Sequence, residues 1–264
     1  MPFVSLRDGL VGLIAFHLLW HLATLGNGVT DIPGPELAYS GLWELARAGV
    51  LWRNVVASVF RVAWGFFLAA LVGIPLGVLM GWTTRARKCM NPLMQALRPI
   101  SPIAWLPFAT VMFGGAAVRA HGRTLVEASD LAAIYLIFLS SFFPIVTSTT
   151  SAVRSIDRKY LLSAANFGVG GSRLFRRVIL PAAFPQILTG LRLALGVAWV
   201  VIVAAEMLGV QSGLGYQVND SRNNLRFDYV AAAMIVIGVT GLLLDGVLAG
   251  VESMTLTRRG MVRR

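Results

Sequence analysis

The fold class this sequence predicts is an all-α membrane protein with six transmembrane helices. Three observations predict it. Hydrophobic residues make up 56% of the 264 positions and charged residues only 13%, against about 25% charged in a soluble domain. Six segments approach the ~20 apolar residues that a bilayer-spanning helix needs. Basic residues collect in alternate connections, the pattern of loops retained on the cytoplasmic side.

The spans fall at residues 9–26, 60–82, 99–116, 131–152, 182–209 and 229–252, within a single membrane domain over residues 1–264. The first is longer than the ~7–15 residue core of a signal peptide. It contains His17, Trp20 and His21 and follows the nearly neutral Arg7-Asp8, so it is expected to be a retained span. The second carries Gly65, Ala69, Gly73, Gly77 and Gly81 at a strict four-residue step. Small residues at that step make a flat stripe on which another helix can pack closely. The third, PISPIAWLPFATVMFGG, holds three prolines and is expected to be broken or kinked near its start. The last three are long apolar runs.

With the N-terminus inside, fifteen of the 23 Lys and Arg residues lie on the inner side, six lie outside, and Arg61 and Arg192 lie within spans. Both termini are therefore expected in the cytoplasm. The net charge of +11 follows from this topology and calls for no nucleic acid partner. The single cysteine, Cys89, excludes internal disulfides and a cysteine metal cluster. No GxxxxGK[ST] loop is present, and Gly168-Val169-Gly170-Gly171 does not complete GxGxxG because Arg173 stands where the last glycine would fall. No cofactor is expected on the chain. His17 and His21 are four apart but have no Cys, Asp or Glu in the same span to complete a metal site.

The longest inner connection, residues 153–181, interrupts its apolar runs with glycines and arginines. Ser155 or Asp157 can cap a short helix whose apolar face is Tyr160, Leu161, Ala164 and Ala165. Gly168 to Gly171 break it. Ser172 can cap a second helix with Leu174, Phe175, Val178 and Ile179 on one face and Arg173, Arg176 and Arg177 on the other, ended by Pro181. Such a corner at the membrane surface suits lipid headgroups or a cytoplasmic partner.

This loop resembles the EAA motif, E-A-A-x3-G-x9-I-x-L-P, of inner-membrane permease subunits of ATP-binding-cassette (ABC) importers. Gly168 matches its glycine, Val178 stands for the isoleucine, and Leu180-Pro181 close it, while E-A-A falls on Leu162, Ser163 and Ala164. The motif glutamate is thus absent. RRVILPAAFPQILTGLRLALGVAWVVIVAAEML (176–208), ALRPISPIAWLPFATVMFG (96–114) and Gly-Leu-Gly-Tyr (213–216) resemble the nitrate/sulfonate/bicarbonate branch, over about residues 50–250. SPIAWLP and NDSRNNL (219–225) look closer to nitrate, cyanate and bicarbonate importers than to taurine or alkanesulfonate ones.

The resemblance implies a type I importer-like permease with a cytoplasmic coupling helix between spans four and five. It implies two copies forming the pore in a bacterial inner membrane, among its lipids. Two cytoplasmic ATPase subunits would carry the ATP and magnesium, and an extracytoplasmic solute-binding protein would deliver the substrate. Leu162, Ser163, Ala164, Ala165, Gly168, Arg173 and Arg176 would meet the ATPase.

Ionisable residues inside spans are functional candidates by default: Arg61, Arg192, Glu206, Asp245 and Glu252. Arg61 and Glu252 lie near predicted ends and are expected to snorkel. Arg192 and Glu206 are about 21 Å apart along one helix, with Trp199 between them on nearly the same face. That face is expected to line the path, with Arg192 easing anion passage, or else Arg192 pairs with Asp245 or a backbone carbonyl. Glu206 suits a gate or an inter-helix hydrogen bond. Gln211, Tyr216, Asn219 and Asn223 lie in the outer loop where a binding protein would dock. A self-sufficient secondary transporter would show inverted repeats and midplane coupling carboxylates, and the two halves show no such similarity. A structural scaffold would leave the loop motif unexplained.

Overall fold

The structure is a computed structural model and describes residues 6–25, 32–115, 118–120 and 123–258. Among these residues four helices are long and apolar enough to cross a membrane. They are α3 (Val50–Trp82), α6 (Ala128–Arg154), the continuous run Phe175–Gly209, and Phe227–Thr255 within α11 (Phe227–Arg258). Helix α1 (Leu6–Thr24) is a shorter apolar helix, and α2 (Pro35–Arg47) is amphipathic. A short antiparallel hairpin, β1 (Val118–Ala120) and β2 (Arg123–Val126), precedes α6.

The third expected span is not one helix. Within residues 99–116 a 3-10 turn over residues 102–105 leads into helix α5 (Leu106–Phe113), and residues 84–97, expected in the inner connection, form helix α4 (Thr84–Leu97), bent by 86° from the 102–113 run. Pro99, Pro102 and Pro107 explain it. Each removes a backbone donor, and the chain opens at Ser101, which precedes Pro102 and is extended at ψ 129°, while Arg98 and Leu106 keep helical geometry. Pro102 and Pro107 are accepted only in the first turns of their elements.

The small-residue stripe of α3 packs against α6 in register. A Cβ added at Gly65 would lie 2.6 Å from Ile137 Cβ, at Gly73 3.0 Å from Ile145 Cγ2, at Gly77 2.6 Å from Thr149 Cβ, and at Gly81 2.6 Å from Val153 Cβ. The partner residues step by eight, four and four along one face of α6, so their β-branched side chains seat against the flat face of α3, as the spacing predicts. Ala69 is fully buried in the same row. Helix α9 (Leu180–Gly209) lies against α3 and α6 and joins the main apolar cluster of Val62, Ile137, Leu195, Ala198 and Ile202. The opposite faces carry Trp52, Leu71, Val200 and Leu242, all strongly exposed on the protomer and suited to lipid.

Helix α7 (Arg158–Asn166) and the single turn α8 (Gly171–Leu174) form the corner before α9. Helix α10 (Leu214–Asn223) follows α9 at its other end. Pro181 does not end the second short helix. Residues Phe175–Ile179 form a π-helical turn that runs straight into α9, with the Leu180 N–H donating to the Phe175 carbonyl. Proline has no N–H to give and its ring crowds the carbonyl four residues back. A widened turn just before it absorbs both problems.

Candidate functional site

Among the described residues, three polar constellations are candidates for function. The first lies at the α10 end. Arg61 of α3 is only 2% exposed. Its Nε donates to Asp130 Oδ1 at 2.8 Å, and its Nη2 lies 2.7 Å from the same oxygen. Its Nη1 donates to Glu206 Oε1 at 2.6 Å and to the Ser212 carbonyl at 2.9 Å, and Nη2 donates to the Ser212 hydroxyl. The other Glu206 oxygen accepts from the Ser58 hydroxyl at 2.8 Å and from the Gly215 N–H at 3.0 Å. Ser58 Oγ accepts the Leu214 N–H at 2.9 Å, and Asn54 Oδ1 accepts the Gly213 N–H at 3.2 Å. Asn54 Nδ2 donates to Gln217 Oε1 at 2.9 Å.

Burying charges is tolerated only when every donor and acceptor is matched, and here they are. Glycine is required where this segment turns. Gly213 has φ +106°, and a Cβ on Gly215 would stand 2.8 Å from Glu206 Cβ.

The second constellation joins α9 to α11. Arg192 binds Asp245 in bidentate fashion, Nε to Oδ1 and Nη2 to Oδ2, both at 2.6 Å. Glu252 Oε2 lies 3.8 Å from Nη1 and its Oε1 accepts from the Thr189 hydroxyl at 2.6 Å. The Arg192 and Asp245 side chains are 40% and 45% exposed, although they sit well inside spanning helices.

The third is the corner around α7. Asp157 caps α7 by accepting the Lys159 N–H at 3.0 Å. Gly168, at φ +67°, closes the helix in a Schellman arrangement: its N–H donates to the Ala165 carbonyl and that of Val169 to the Ala164 carbonyl, both at 2.9 Å. A groove of about 840 Å³ runs beside the helix, lined by Tyr160, Ser163, Ala164, Phe167, Arg177 and Pro181. Tyr160, Leu162 and Phe167 are exposed, Phe167 at 85%. Arg158, Arg173, Arg176 and Arg177 are exposed around them.

Residues 73–254 match the model of the family described as "Binding-protein-dependent transport system inner membrane component". The chain belongs to that family. The permease is 38% identical over 252 residues to a protein of Methanocaldococcus jannaschii that carries the name of an ABC transporter permease, covering 93% of this chain and 90% of that one. It is 34% identical over 256 residues to the bicarbonate transport system permease protein CmpB of Synechococcus elongatus, covering 92% and 87%. It is 32% identical over 255 residues to the nitrate import permease protein NrtB of Synechocystis, covering 93% and 88%. A chain from the inward facing structures of the MetNI methionine ABC transporter shares the fold, with a TM-score of 0.63, 18% identity, and coverage of 81% of this chain and 97% of that one. The permease is thus a multi-pass membrane subunit of an ABC importer.

The structure brings some of the predicted residues together and separates others. Arg61 does not snorkel: α3 begins ten residues before the expected span, which places Arg61 inside the bundle. Arg192, Trp199 and Glu206 do not share an exposed face. Trp199 is buried, donating to the Ile237 carbonyl at 3.1 Å, and Glu206 is buried in the Arg61 cluster. The helical repeat drifts by ~20° per seven residues, and these two partners draw the side chains inward. Asp245 does meet Arg192. At the corner, Leu161 and Ala164 turn inward, whereas Tyr160 and Ala165 are exposed. Ser163, Gly168, Arg173 and Arg176 lie on the exposed corner with Leu162. Gln211 and Asn223 are exposed, and Tyr216 and Asn219 partly buried, along one segment.

Sequence reasoning missed Asn54, Ser58, Asp130, Ser212 and Gln217. A signal for the first two was present. Asn54, Ser58, Arg61 and Gly65 step by four, three and four, one helical face that continues into the small-residue stripe.

Proposed function

We propose that this permease is the membrane path of an ATP-driven importer for a small anion, nitrate first, with nitrite, cyanate and bicarbonate in the same class. The observation that carries the importer reading is the α7 corner. It presents Tyr160, Leu162 and Phe167 to the surface amid exposed arginines. Apolar anchors ringed by charge suit a protein cleft better than hydrocarbon. Leu162, Ser163, Ala164, Ala165, Gly168, Arg173 and Arg176 form the contact with the ATPase subunit, one for each of two permease copies. ATP and magnesium are held by that partner. The bicarbonate and nitrate permeases among the relatives support the anion class, and an aliphatic sulfonate such as taurine is the alternative cargo.

Six crossings follow if α1 and the bent α4–α5 pair each count as one, with both termini cytoplasmic. An extracytoplasmic binding protein docks near Gln211, Tyr216, Asn219 and Asn223. The half-exposed Arg192–Asp245 pair supports a wet face on α9 and α11, since a charge facing lipid tails is expensive. That face borders the path or the second copy. ATP binding closes the ATPase pair, the corners follow, and the helices switch from inward-open to outward-open.

The test is co-purification and uptake. An ATPase subunit should accompany the wild-type chain stoichiometrically and be lost when residues 162–171 are deleted. Anion uptake in proteoliposomes should require ATP and be competed by nitrate more strongly than by taurine. Uptake by the permease alone, driven by an ion gradient, would instead establish a secondary transporter.

A further inference from the structure

Helix α10 does not cap itself. Its first backbone donors would normally seek a side chain at Gly213, which has none to offer. The acceptors come from other helices. Asn54 and Ser58 of α3 take the N–H groups of Gly213 and Leu214, and Glu206 of α9 takes that of Gly215. A carboxylate at a helix N-terminus also meets the positive end of its dipole. Arg61 then locks Glu206 and the Ser212 backbone to the start of α6 through Asp130.

From Glu206 the same helix runs unbroken back to Leu180, for about 39 Å at 1.5 Å per residue, and on to the π turn and the α7 corner.

We infer that the Arg61–Glu206 cluster is a positioning joint that makes α10 and α9 one moving body. Through it, a binding protein seated on α10 acts on the ATPase docked at α7. This rests on the importer reading above. The buried ions are retained for this geometry: a cluster of two carboxylates and one guanidinium is a poor source of stability, but it leaves α10 only one seat. Arg61, Ser58 and Glu206 touch no substrate in this role.

The test uses the full complex of permease, ATPase and binding protein in proteoliposomes, and the readout is the ratio of binding-protein-stimulated to basal ATP hydrolysis. Ser58→Ala removes one cap and one donor to Glu206 and should lower that ratio about fivefold, in the range of ordinary allosteric coupling, without lowering basal hydrolysis. The size-matched double variant Arg61→Met/Glu206→Leu removes the fully buried ion pair together and leaves only the partly exposed Asp130 without its partner. A purely structural cluster predicts that the double variant, once assembled, is stimulated like wild type, and that result overturns the joint. The joint predicts an assembled complex whose ratio falls towards one. If the double variant does not assemble, Ser58→Ala decides: an unchanged ratio overturns the proposal. Absence of stimulation in the wild-type complex would overturn the importer reading itself, and is distinguishable because it precedes any substitution.

Discussion

Substituting Gly77 by alanine tests the seam on which the bundle is built. The added Cβ would stand 2.6 Å from Thr149 Cβ and 2.9 Å from the Val146 carbonyl oxygen. Carbon atoms at rest sit about 3.5–4.0 Å apart, so the helices must part locally by roughly 1 Å. Neither neighbour can swing away, because one is a β-carbon and the other is backbone. A gap of that size forfeits a quarter to a half of the dispersion well for the atoms along it, and overpacking of this kind costs about 2 kcal/mol. For a chain of this size that lowers Tm by about 4–8 °C. The assay is thermal unfolding of the purified permease in detergent, followed by size-exclusion fluorescence, with Gly238→Ala as the control. Nothing lies within 4 Å of a Cβ at Gly238, and alanine is the better helix former, so the control should melt at or slightly above wild type. If Gly77→Ala melted within about 1 °C of wild type, the close α3–α6 approach would be refuted.

Arg192→Gln should lower anion uptake in proteoliposomes while coupled ATP hydrolysis persists, and unchanged uptake would remove Arg192 from the path. Asp245→Asn relieves the bidentate pair and turns the Arg192–Asp245–Glu252 group from net negative to neutral. It should reduce KM for the anion severalfold, whereas a merely structural pair predicts lost expression. Gly168→Ala forces a side chain into the left-handed region at φ +67°, at about 1–2 kcal/mol, and should weaken ATPase co-purification without changing the thermal stability of the spans. Arg61→Met alone leaves Glu206 buried without its cation and should destabilise by about 3–5 kcal/mol, which would show as loss of folded permease on size exclusion.

Much of the fold was legible because lipid imposes a simple grammar. Apolar length specifies a crossing, glycines four apart specify a close neighbour, and the prolines of residues 99–107 announce a break. The corner was legible for a different reason: Asp157 and Gly168 act on backbone groups within a few residues, so their roles are local. Arg61 was misplaced because hydropathy cannot see that a helix continues beyond its apolar stretch. Residues 50–59 include Arg53, Asn54 and Ser58, which read as a loop until α10 is seen to supply partners to Asn54 and Ser58.

By itself, the sequence determined the membrane class, the position of most spanning helices, the flat stripe on α3 and the turn at Gly168. These depend on periodicity and on backbone sterics, both written within a few turns of chain. Only the tertiary structure decided which polar groups meet. Asn54 finds Gln217 across 163 residues and Arg61 finds Glu206 across 145, and no local rule selects one acceptor among several in a bundle. Burial makes the choice: an ion inside the protein must be matched, and only the packed helices show which partner is within reach.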